Sequence, residues 1–274
     1  MTDNRFRLIS WNIAGKVAVN RKQFEALEGR KPDIVALQEV RVNALNNFRE
    51  LFSEIGLSFI VETATLAKEK GRRIGELIAS RWPLQPIPGT DNETPFPERV
   101  LSSIMQSPWG DIELHTVHIV PGHGNGWKKI EMFEGVYRRL AYQSDIPRIL
   151  CGDFNSPQQE TTDGQLVTWG EKLEKNGEIS GGEGRWAVGE RSVLKGLAEY
   201  DLPDIFRLLN GYQIQEYSWF MRFKGRIAAK RRFDHIFASK SLNAVECQYL
   251  GEVVEQKLSD HAAIEAVFEP DERV

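Results

Sequence analysis

The chain has 274 residues, of which 41% are hydrophobic and 27% charged, so it can bury a sizeable core and does not have the composition of a disordered protein. Its 35 basic and 39 acidic side chains give a net charge of −4. This balance excludes a polycation that binds nucleic acid through bulk charge, although a local basic groove remains compatible with it. The two cysteines, Cys151 and Cys247, exclude a disulfide scaffold and a zinc site built on cysteine clusters.

The sequence shows no pattern typical of a targeting or membrane segment. Two arginines near the start are not followed by the apolar stretch of a secretory signal. The apolar runs have the length of strands, which is too short to cross a bilayer. We therefore expect a cytoplasmic, monomeric protein with no membrane partner and no obligate protein partner.

The first part of the chain alternates strand and helix patterns. An apolar, β-branched run predicts a strand that ends near Asn12, and residues 20–29 have the apolar spacing of a helix that stops at a glycine. Residues 33–40 are apolar almost throughout, which is typical of a strand buried on both faces. Residues 44–55 return to helical spacing.

Strand patterns then dominate. Four strands are predicted at 57–62, 73–80, 99–106 and 111–120. Turns rich in proline and glycine separate them at 82–89 and 107–110, and a helix at 128–142 precedes a buried strand at 148–154. Residues 164–189 are polar and glycine-rich, which predicts an exposed insertion with some helix. Further strands are predicted at 216–223, 232–239, 245–250 and 262–268. Together these patterns predict one domain over residues 1–274, with mixed sheets and external helices.

Polar side chains follow several of the buried strand patterns. Asn12 closes the first strand, Glu39 closes the second, and Asp153 and Asn155 end or follow the strand at 148–154. A carboxylate in such a position is costly unless a cap, an ion pair or a metal satisfies it. A single one could be a cap or a turn residue, but four that meet at one sheet edge would indicate a ligand site.

Two further segments contain histidines. Ser259-Asp260-His261 directly precedes the last predicted strand and could be only a turn. Asp234 interrupts the apolar strand at 232–239 and therefore needs a partner. A histidine on a neighbouring strand would serve, because a carboxylate that accepts from an imidazole holds one tautomer and favours the cation.

Seven short motifs follow one another in order between residues 10 and 264. They are SWN (10–12), LQEV (37–40), HIVPGHG (118–124), CGDFNS (151–156), YSW (217–219), RFDHIFAS (232–239) and LSDHAAI (258–264). This ordered set resembles the endonuclease/exonuclease/phosphatase superfamily, which includes pancreatic-type deoxyribonucleases, abasic-site endonucleases, neutral sphingomyelinases, deadenylases and inositol-polyphosphate phosphatases. The resemblance implies an α/β fold, a four-layered α/β/β/α sandwich of two mixed β-sheets flanked by helices.

The resemblance also implies a metal site with a supporting pair beside it. Glu39 would be the main protein ligand of Mg²⁺, for which Mn²⁺ can substitute, with Asn12 and Asp260 next to it. Such a sparse set of oxygen ligands suits Mg²⁺, which usually keeps several waters and binds substrate phosphate. His118 would stabilise the phosphate or the leaving oxygen, and Glu76 would support His118.

The remaining matched residues would carry the chemistry. Asp153 would orient or deprotonate the attacking water, and Asn155 would hold that water and a phosphate oxygen. His261 would donate to a non-bridging phosphate oxygen, with Asp234 holding the imidazole in place. These roles meet the needs of phosphodiester hydrolysis, which are an aligned water, neutralisation of charge on the phosphoryl oxygens and help for the leaving alkoxide.

The residues of the predicted loops indicate which class of substrate the enzyme binds. The inositol-phosphatase branch carries Trp-Gly-Asp-x-Asn-x-Arg and Pro-x-Trp-Cys-Asp-Arg elements, which this chain lacks. Aromatic and basic side chains cluster on two loops instead, a combination suited to stacking bases and contacting phosphates. The residues predicted to bind substrate are Arg41, Trp127, Lys128, Trp219, Lys224, Arg226, Lys230 and Arg231. Alternatively, Trp219 is a core residue and the basic run is the tip of a solvated hairpin.

Three functions are compatible with these patterns. The leading one is a Mg²⁺-dependent nuclease that acts on DNA or RNA, with endo or exo action and a preference for abasic sites left open. The second is a small-molecule or lipid phosphodiesterase of the sphingomyelinase type, which the basic aromatic loop and the lack of a membrane segment disfavour. The third is a catalytically inactive binding protein, which the retention of the matched site residues disfavours.

Overall fold

A computed structural model of the chain describes residues 4–18, 20–88, 93–182 and 184–270. Several predicted features extend beyond these ranges. Residue 89 of the predicted turn and residue 183 of the predicted insertion lie outside the described residues, as do residues 1–3 and 271–274 of the predicted domain.

The described residues form strands and short helices. The strands are β1 (Phe6–Asn12), β2 (Ile34–Arg41), β3 (Phe59–Glu62), β4 (Ile74–Ser80), β5 (Leu84–Pro86), β6 (Val100–Ser107), β7 (Gly110–His118), β8 (Arg148–Asp153), β9 (Gln159–Glu160), β10 (Leu166–Val167), β11 (Glu171–Leu173), β12 (Ile179–Gly181), β13 (Trp219–Phe223), β14 (Arg226–Arg231), β15 (Asp234–Ala238), β16 (Ala244–Leu250) and β17 (Ala263–Phe268). The helices are α1 (Asn20–Glu28), α2 (Leu45–Glu54), α3 (Ala64–Glu69), α4 (Lys128–Leu140), α5 (Arg185–Leu194), α6 (Ile205–Asn210) and α7 (Glu252–Glu255). None of the described helices is long and apolar enough to cross a membrane.

Two mixed sheets contain most of the strands. The first has the order β16-β17-β1-β2-β4-β3, and the second has the order β15-β8-β7-β6-β5. Each contains one parallel pair, β1 with β2 and β7 with β8, and a helix makes the crossover in each case, α1 in the first and α4 in the second. The pairs β9–β10, β11–β12 and β13–β14 form separate two-stranded ribbons.

Apolar side chains of the central strands alternate between two cores. On β1, Ile9 and Trp11 pack with α1 and α2, whereas Phe6 and Leu8 pack between the two sheets. On β8, Leu150 joins a third core against α4 and α5. The layers are therefore helices, sheet, sheet and helices, which confirms the predicted fold class and explains why these strands are apolar almost throughout.

The short elements differ most from prediction. Helix α3 was not predicted, and β5 lies inside the turn predicted at 82–89 because it pairs with the edge of β6. The strand predicted at 216–223 begins only at Trp219 and pairs with β14, outside both large sheets. The segment 164–189 is not simply exposed, because it contains β10, β11 and β12 as well as the start of α5, and Val167 and Ala187 in it are buried.

Candidate active site

The ends of the parallel strands meet at one edge of the sandwich. Asn12 ends β1 and Glu39 lies close to the end of β2, while His118 and Asp153 end β7 and β8 and are direct partners in the register of the second sheet. Because parallel strands run in the same direction, their last residues lie side by side. Hydrogen bonds and close contacts then join side chains of the two sheets across this edge.

Irregular backbone directs two of the site side chains. Glu39 has a φ of 61° at a β-bulge, where the pairing of β2 with β4 shifts between Leu37 and Val40. Asn155 has a φ of 48° directly after β8. Left-handed conformations are uncommon for residues other than glycine and cluster at functional sites. Each of these two residues therefore owes the direction of its side chain to a backbone irregularity.

Asn12 holds two carboxylates together. Its Nδ2 donates to Glu39 Oε1 at 3.2 Å and to Asp153 Oδ2 at 2.9 Å, and its Oδ1 accepts from the Ala14 N–H at 2.9 Å. The predicted oxygen ligand thus presents its nitrogen, and not its oxygen, to the carboxylates, because a backbone N–H already engages the oxygen. In this arrangement Asn12 organises the acidic pair.

Asp234 and His261 form the pair that the sequence suggested. His261 Nδ1 donates to Asp234 Oδ2 at 2.8 Å, and the ring's Nε2 lies 3.7 Å from Asp153 Oδ2. Burial disfavours the imidazolium, but the carboxylates of Asp234 and Asp153 outweigh burial and raise the pKa of His261 to about 10. The imidazole is therefore a cation at neutral pH, and it lies beside the acidic pair.

Asp153 is buried at the centre of this group. The backbone N–H of Asn155 donates to its Oδ1 at 2.8 Å, and the Asn155 side chain donates to its Oδ2 at 3.3 Å. Burial raises the pKa of Asp153 to about 7, although the charge of His261 and the hydrogen bonds oppose the shift. A carboxyl group with this pKa can exchange a proton near neutral pH, as a general base must.

His118 lies against the same carboxylates, but its partner is not the predicted one. Arg99 donates to its Nδ1 at 2.7 Å, while its Nε2 lies 3.7 Å from Glu39 Oε1 and 3.6 Å from Asp153 Oδ2. Burial and the Arg99 charge hold the pKa of His118 well below its ordinary value, so the ring is neutral. Glu76 is buried, and neither carboxyl oxygen has a hydrogen-bond partner among the described residues. Burial also raises the pKa of Glu76 well above its ordinary value.

The donor chemistry fits a magnesium ion at Glu39. The Glu39 side chain is 26% exposed, so water and a substrate phosphate can reach its carboxylate oxygens. Mg²⁺ prefers oxygen ligands and usually completes its coordination with water and substrate phosphate. Asp153, Asp234 and His261 also lie close enough to one another to hold an ion, but His261 Nδ1 and Asp234 Oδ2 are already hydrogen-bonded to each other at 2.8 Å. Asp260, the other predicted ligand, is exposed and lines a neighbouring cavity with Lys16. Among the described residues it makes no hydrogen bond to the acidic pair.

The β13–β14 ribbon begins at the site and extends into solvent. Trp219 forms an isolated bridge with His261, and its ring stacks on Phe233 with 5.3 Å between centroids. The basic residues predicted to bind substrate are placed along the ribbon at Lys224, Arg226, Lys230 and Arg231. All of these are exposed except Arg231, which is half-buried. Trp219 is half-buried and the tip of the ribbon is solvated, and the substrate-binding role of these residues stays a prediction.

The other predicted substrate residues lie on separate surface positions. Arg41 is exposed at the end of β2, beside Gly15. Trp127 is exposed at the start of α4 and packs on Trp186, with 5.4 Å between ring centroids, and Lys128 is exposed next to it. Trp186 in turn lines one cavity with Trp219 at the base of the ribbon.

Sequence reasoning missed three residues that contact the site. Arg99 directly precedes β6 and looks like an ordinary strand-end cation, so no local pattern identifies it. Lys129 is buried and its Nζ donates to the backbone oxygen of Asn155 at 2.8 Å. Trp169 Nε1 donates to the same oxygen at 2.9 Å. A lysine on the apolar side of a predicted helix was the one available signal for Lys129.

The chain belongs to the Endonuclease/Exonuclease/phosphatase family, which matches residues 9–261. It is 26% identical over 277 residues to the exodeoxyribonuclease III of Haemophilus influenzae, covering 96% of this chain and 99% of that protein. Similar solved structures include an AP endonuclease from Archaeoglobus fulgidus (TM-score 0.69, 19% identity) and a 3′-5′ exonuclease from Neisseria meningitidis (TM-score 0.68, 20% identity). Each of these covers 96% of this chain and 99% of its own. The resemblance seen in the sequence is confirmed, and the protein is an enzyme that hydrolyses phosphodiester bonds.

Proposed function

We propose that this enzyme is a Mg²⁺-dependent nuclease whose substrate is DNA. The observation that carries the proposal is the position of Asp153, which is hydrogen-bonded to Asn12 and Asn155 and lies 3.7 Å from the cationic His261. Such a group offers a base and a positive charge at one point, as hydrolysis of a phosphodiester requires. The exodeoxyribonuclease, AP endonuclease and 3′-5′ exonuclease names of the relatives support DNA as the first substrate to test.

Asp153 is the base in the proposed reaction. Its pKa of about 7 leaves a substantial fraction ionised at neutral pH, and the hydrogen bonds from Asn12 and Asn155 fix the direction of the carboxylate. It accepts a proton from the water that attacks phosphorus. Asn155 orients Asp153 and that water.

The two histidines act on the phosphate in different protonation states. His261 is a cation and neutralises negative charge on a non-bridging oxygen, while Asp234 keeps its ring oriented. His118 is neutral, and because Arg99 donates to its Nδ1, its proton is on Nε2, which faces Glu39 and Asp153. His118 is therefore a neutral hydrogen-bond donor to a phosphate oxygen or to the leaving oxygen.

Glu39 is the proposed protein ligand of Mg²⁺, with Mn²⁺ as a substitute. When bound, the ion supplies a Lewis acid that neutralises charge on the phosphoryl oxygens. Asn12 contributes by fixing the direction of the Glu39 carboxylate. The predicted monomer, the cytoplasmic location and the single domain over residues 1–274 belong to the same proposal.

The test is a panel of substrates with and without a chelator. End-labelled single- and double-stranded DNA, RNA, an abasic duplex and sphingomyelin vesicles are incubated with the enzyme and with Asp153→Asn. We expect cleavage of DNA in Mg²⁺ that is lost in chelator and in Asp153→Asn, but kept in Asp111→Asn, a matched change at the exposed opposite end of β7. Hydrolysis of sphingomyelin without cleavage of any nucleic acid would establish the lipid phosphodiesterase instead.

A further inference from the structure

His235 is a buried histidine of β15 to which the proposed reaction gives no role. It is the register partner of Gly152 on β8, and only 1% of its surface is exposed. Its ring meets the ring of Phe154 edge to face, with 5.4 Å between centroids and 90° between planes. His235 therefore packs directly against residues 154–156, which follow β8 and are called the β8 loop below.

Both ring nitrogens of His235 face oxygen atoms. Nε2 lies 2.9 Å from the Ser156 carbonyl oxygen, and Nδ1 lies 3.1 Å from Asp204 Oδ2. Burial disfavours the charge of Asp204, but Arg232 and His235 outweigh burial and hold the pKa of this carboxyl group well below its ordinary value. An ionised carboxylate and a carbonyl oxygen can only accept hydrogen bonds. Because a neutral imidazole has one N–H group, only the imidazolium donates to both oxygens.

The β8 loop depends on such contacts because its backbone is irregular. Asn155 has a φ of 48°, a conformation that costs free energy and persists only where the surrounding structure holds it. Lys129 and Trp169 donate to the Asn155 carbonyl at 2.8 and 2.9 Å. His235 donates to the next carbonyl of the loop, that of Ser156. The backbone on both sides of the Asn155–Ser156 peptide is thus held by buried or half-buried side chains.

We propose that His235 is a positioning residue for the hydrolysis. As an imidazolium, it donates to the Ser156 carbonyl and so keeps the Asn155 side chain directed at Asp153 and the attacking water. The inference rests on the role proposed above for Asn155. The Asn155 side chain donates to Asp153 Oδ2 at 3.3 Å, which is longer than a typical hydrogen bond, so a small rotation of the loop would break this contact. A misplacement of about 1 Å can lower a rate by about 10²-fold.

Two amide substitutions separate the two hydrogen bonds of the ring. The amide nitrogen of glutamine can take the place of Nε2, whereas that of asparagine can take the place of Nδ1. His235→Gln therefore keeps a donor for the Ser156 carbonyl, and His235→Asn keeps a donor only for Asp204. For the small diester bis(4-nitrophenyl) phosphate, we expect kcat to fall about 10²-fold in His235→Asn and to recover about tenfold or more in His235→Gln. The KM should not change, because the buried ring does not contact the diester.

Controls establish what these variants measure. His115→Asn changes another buried histidine, which contacts Ser102, and should keep the parent kcat. Asn155→Ala should lose at least as much kcat as His235→Asn. Circular dichroism and thermal unfolding establish that each variant is folded. If His235→Asn does not fold, the parent decides the question through the NMR chemical shifts of the two His235 ring nitrogens, which should show both protonated at neutral pH.

The results distinguish this inference from the proposed role of Asn155. Parent kcat in His235→Asn together with a large loss in Asn155→Ala would overturn the inference alone. A kcat in His235→Gln equal to or below that in His235→Asn would also overturn it, because the Ser156 contact would then not be the one that matters. An unprotonated Nε2 in the parent would have the same consequence. Parent kcat in Asn155→Ala would overturn the role of Asn155 and the inference together.

Discussion

Glu39 has a left-handed backbone conformation at the bulge of β2, where Gln38 and Glu39 together face one residue of β4. A regular strand would turn successive side chains to opposite faces of the sheet, so the extra residue changes the direction in which Glu39 points. At the residue scale, the site thus depends on local backbone geometry as well as on residue type. The same holds for β8, where Gly152 has a φ of 134° and any side-chain carbon would lie 2.0 Å from the Val117 oxygen.

Replacing Glu39 by glutamine should abolish most of the activity while the fold remains. The change keeps the shape of the side chain but removes the charge that would hold the metal, and we expect a loss of about 10²–10³-fold in kcat on a DNA substrate. Kinetics in Mg²⁺ and thermal unfolding measure the two effects. Glu25→Gln on the exposed face of α1 is the control. Full activity of Glu39→Gln, or parent activity unchanged in excess chelator, would contradict the metal assignment.

The imidazole of His261 should titrate near pH 10 in the metal-free protein. Burial lowers the pKa of the folded-state imidazole, but Asp234 and Asp153 outweigh burial and raise this pKa above the ordinary value of 6.5. The stability that it contributes is therefore fully present below about pH 6.5 and is lost as the pH rises through about 10. NMR titration should show this pKa and a lower one in Asp234→Asn. His115 is the internal reference, because burial lowers its pKa although the Glu113 carboxylate lies 3.1 Å from its Nε2. A parent His261 that titrates below its ordinary value would refute the pairing.

At the scale of elements, the β13–β14 ribbon has the features of a substrate-contacting arm. Lys224 and Gly225 form its two-residue turn with φ values of 48° and 79°, the positive signs that a type I′ turn requires. The ribbon pairs with neither large sheet, and Met221, Phe223 and Ile227 expose their apolar side chains along it. An isolated ribbon of this kind gains little from its own pairing, so contact with another molecule would stabilise it.

Removing the positive charge of the ribbon should weaken binding of polynucleotides specifically. The variant replaces Lys224, Arg226, Lys230 and Arg231 by alanine. We expect a higher KM for DNA and a salt dependence whose slope falls by about 0.9 per lost phosphate contact. Hydrolysis of bis(4-nitrophenyl) phosphate should change little, because this small diester reaches only the catalytic centre.

The matched control for the ribbon removes the same number of charges elsewhere. It replaces the exposed lysines at positions 22, 68, 70 and 240 by alanine. Because net charge changes equally in both variants, a larger effect of the ribbon variant assigns the contacts to the ribbon. Equal KM values and salt slopes for the two variants would make the ribbon a bystander.

At the scale of the whole molecule, a buried charge network connects the segments on either side of the site. Glu160, which follows the loop after β8, accepts from Arg232 at 2.6 Å and from Arg207 at 2.7 Å, and Arg232 also donates to Asp204 at 2.8 Å. Burial disfavours the charge of Glu160, but the two arginines outweigh burial and lower its pKa to about 2. Arg232 lies two residues before Asp234, so the network holds the strand that orients His261.

Glu160→Gln should therefore destabilise the protein in a pH-dependent way. Removing one partner of a buried ion pair costs about 3–5 kcal/mol, and we expect that loss in the free energy of unfolding at pH 7. The folded pKa is depressed, so the contribution of Glu160 is present above its ordinary value of 4.5 and is lost as the pH falls towards about 2. Urea unfolding between these two pH values should show that the difference in the free energy of unfolding between Glu160→Gln and the parent shrinks as the pH falls. Glu50→Gln, an exposed change on α2, should cost little at any pH, and an equal cost for both variants would contradict the network's role.

The order of the long elements and the positions of the main site residues were predictable from the sequence. Strands buried on both faces are apolar almost throughout, so β1, β2 and β8 are visible without knowledge of their partners. Polar residues where such strands end, here Asn12 and Asp153, stand out against that background. The ordered motifs then identified the family.

Only the tertiary structure decided which groups meet at the site. Among the described residues Arg99 donates a hydrogen bond to His118, whereas Glu76 makes none to it. The Asn12 amide turns its nitrogen to the carboxylates because the Ala14 N–H engages its oxygen. Trp169 reaches the Asn155 carbonyl from a segment that looked exposed. These contacts join residues that are either far apart in the chain or linked by a loop, and such pairs leave no periodic pattern in a single sequence. Hydrophobic periodicity indicates which face of an element is buried, but it does not indicate which polar residue of another element contacts that face.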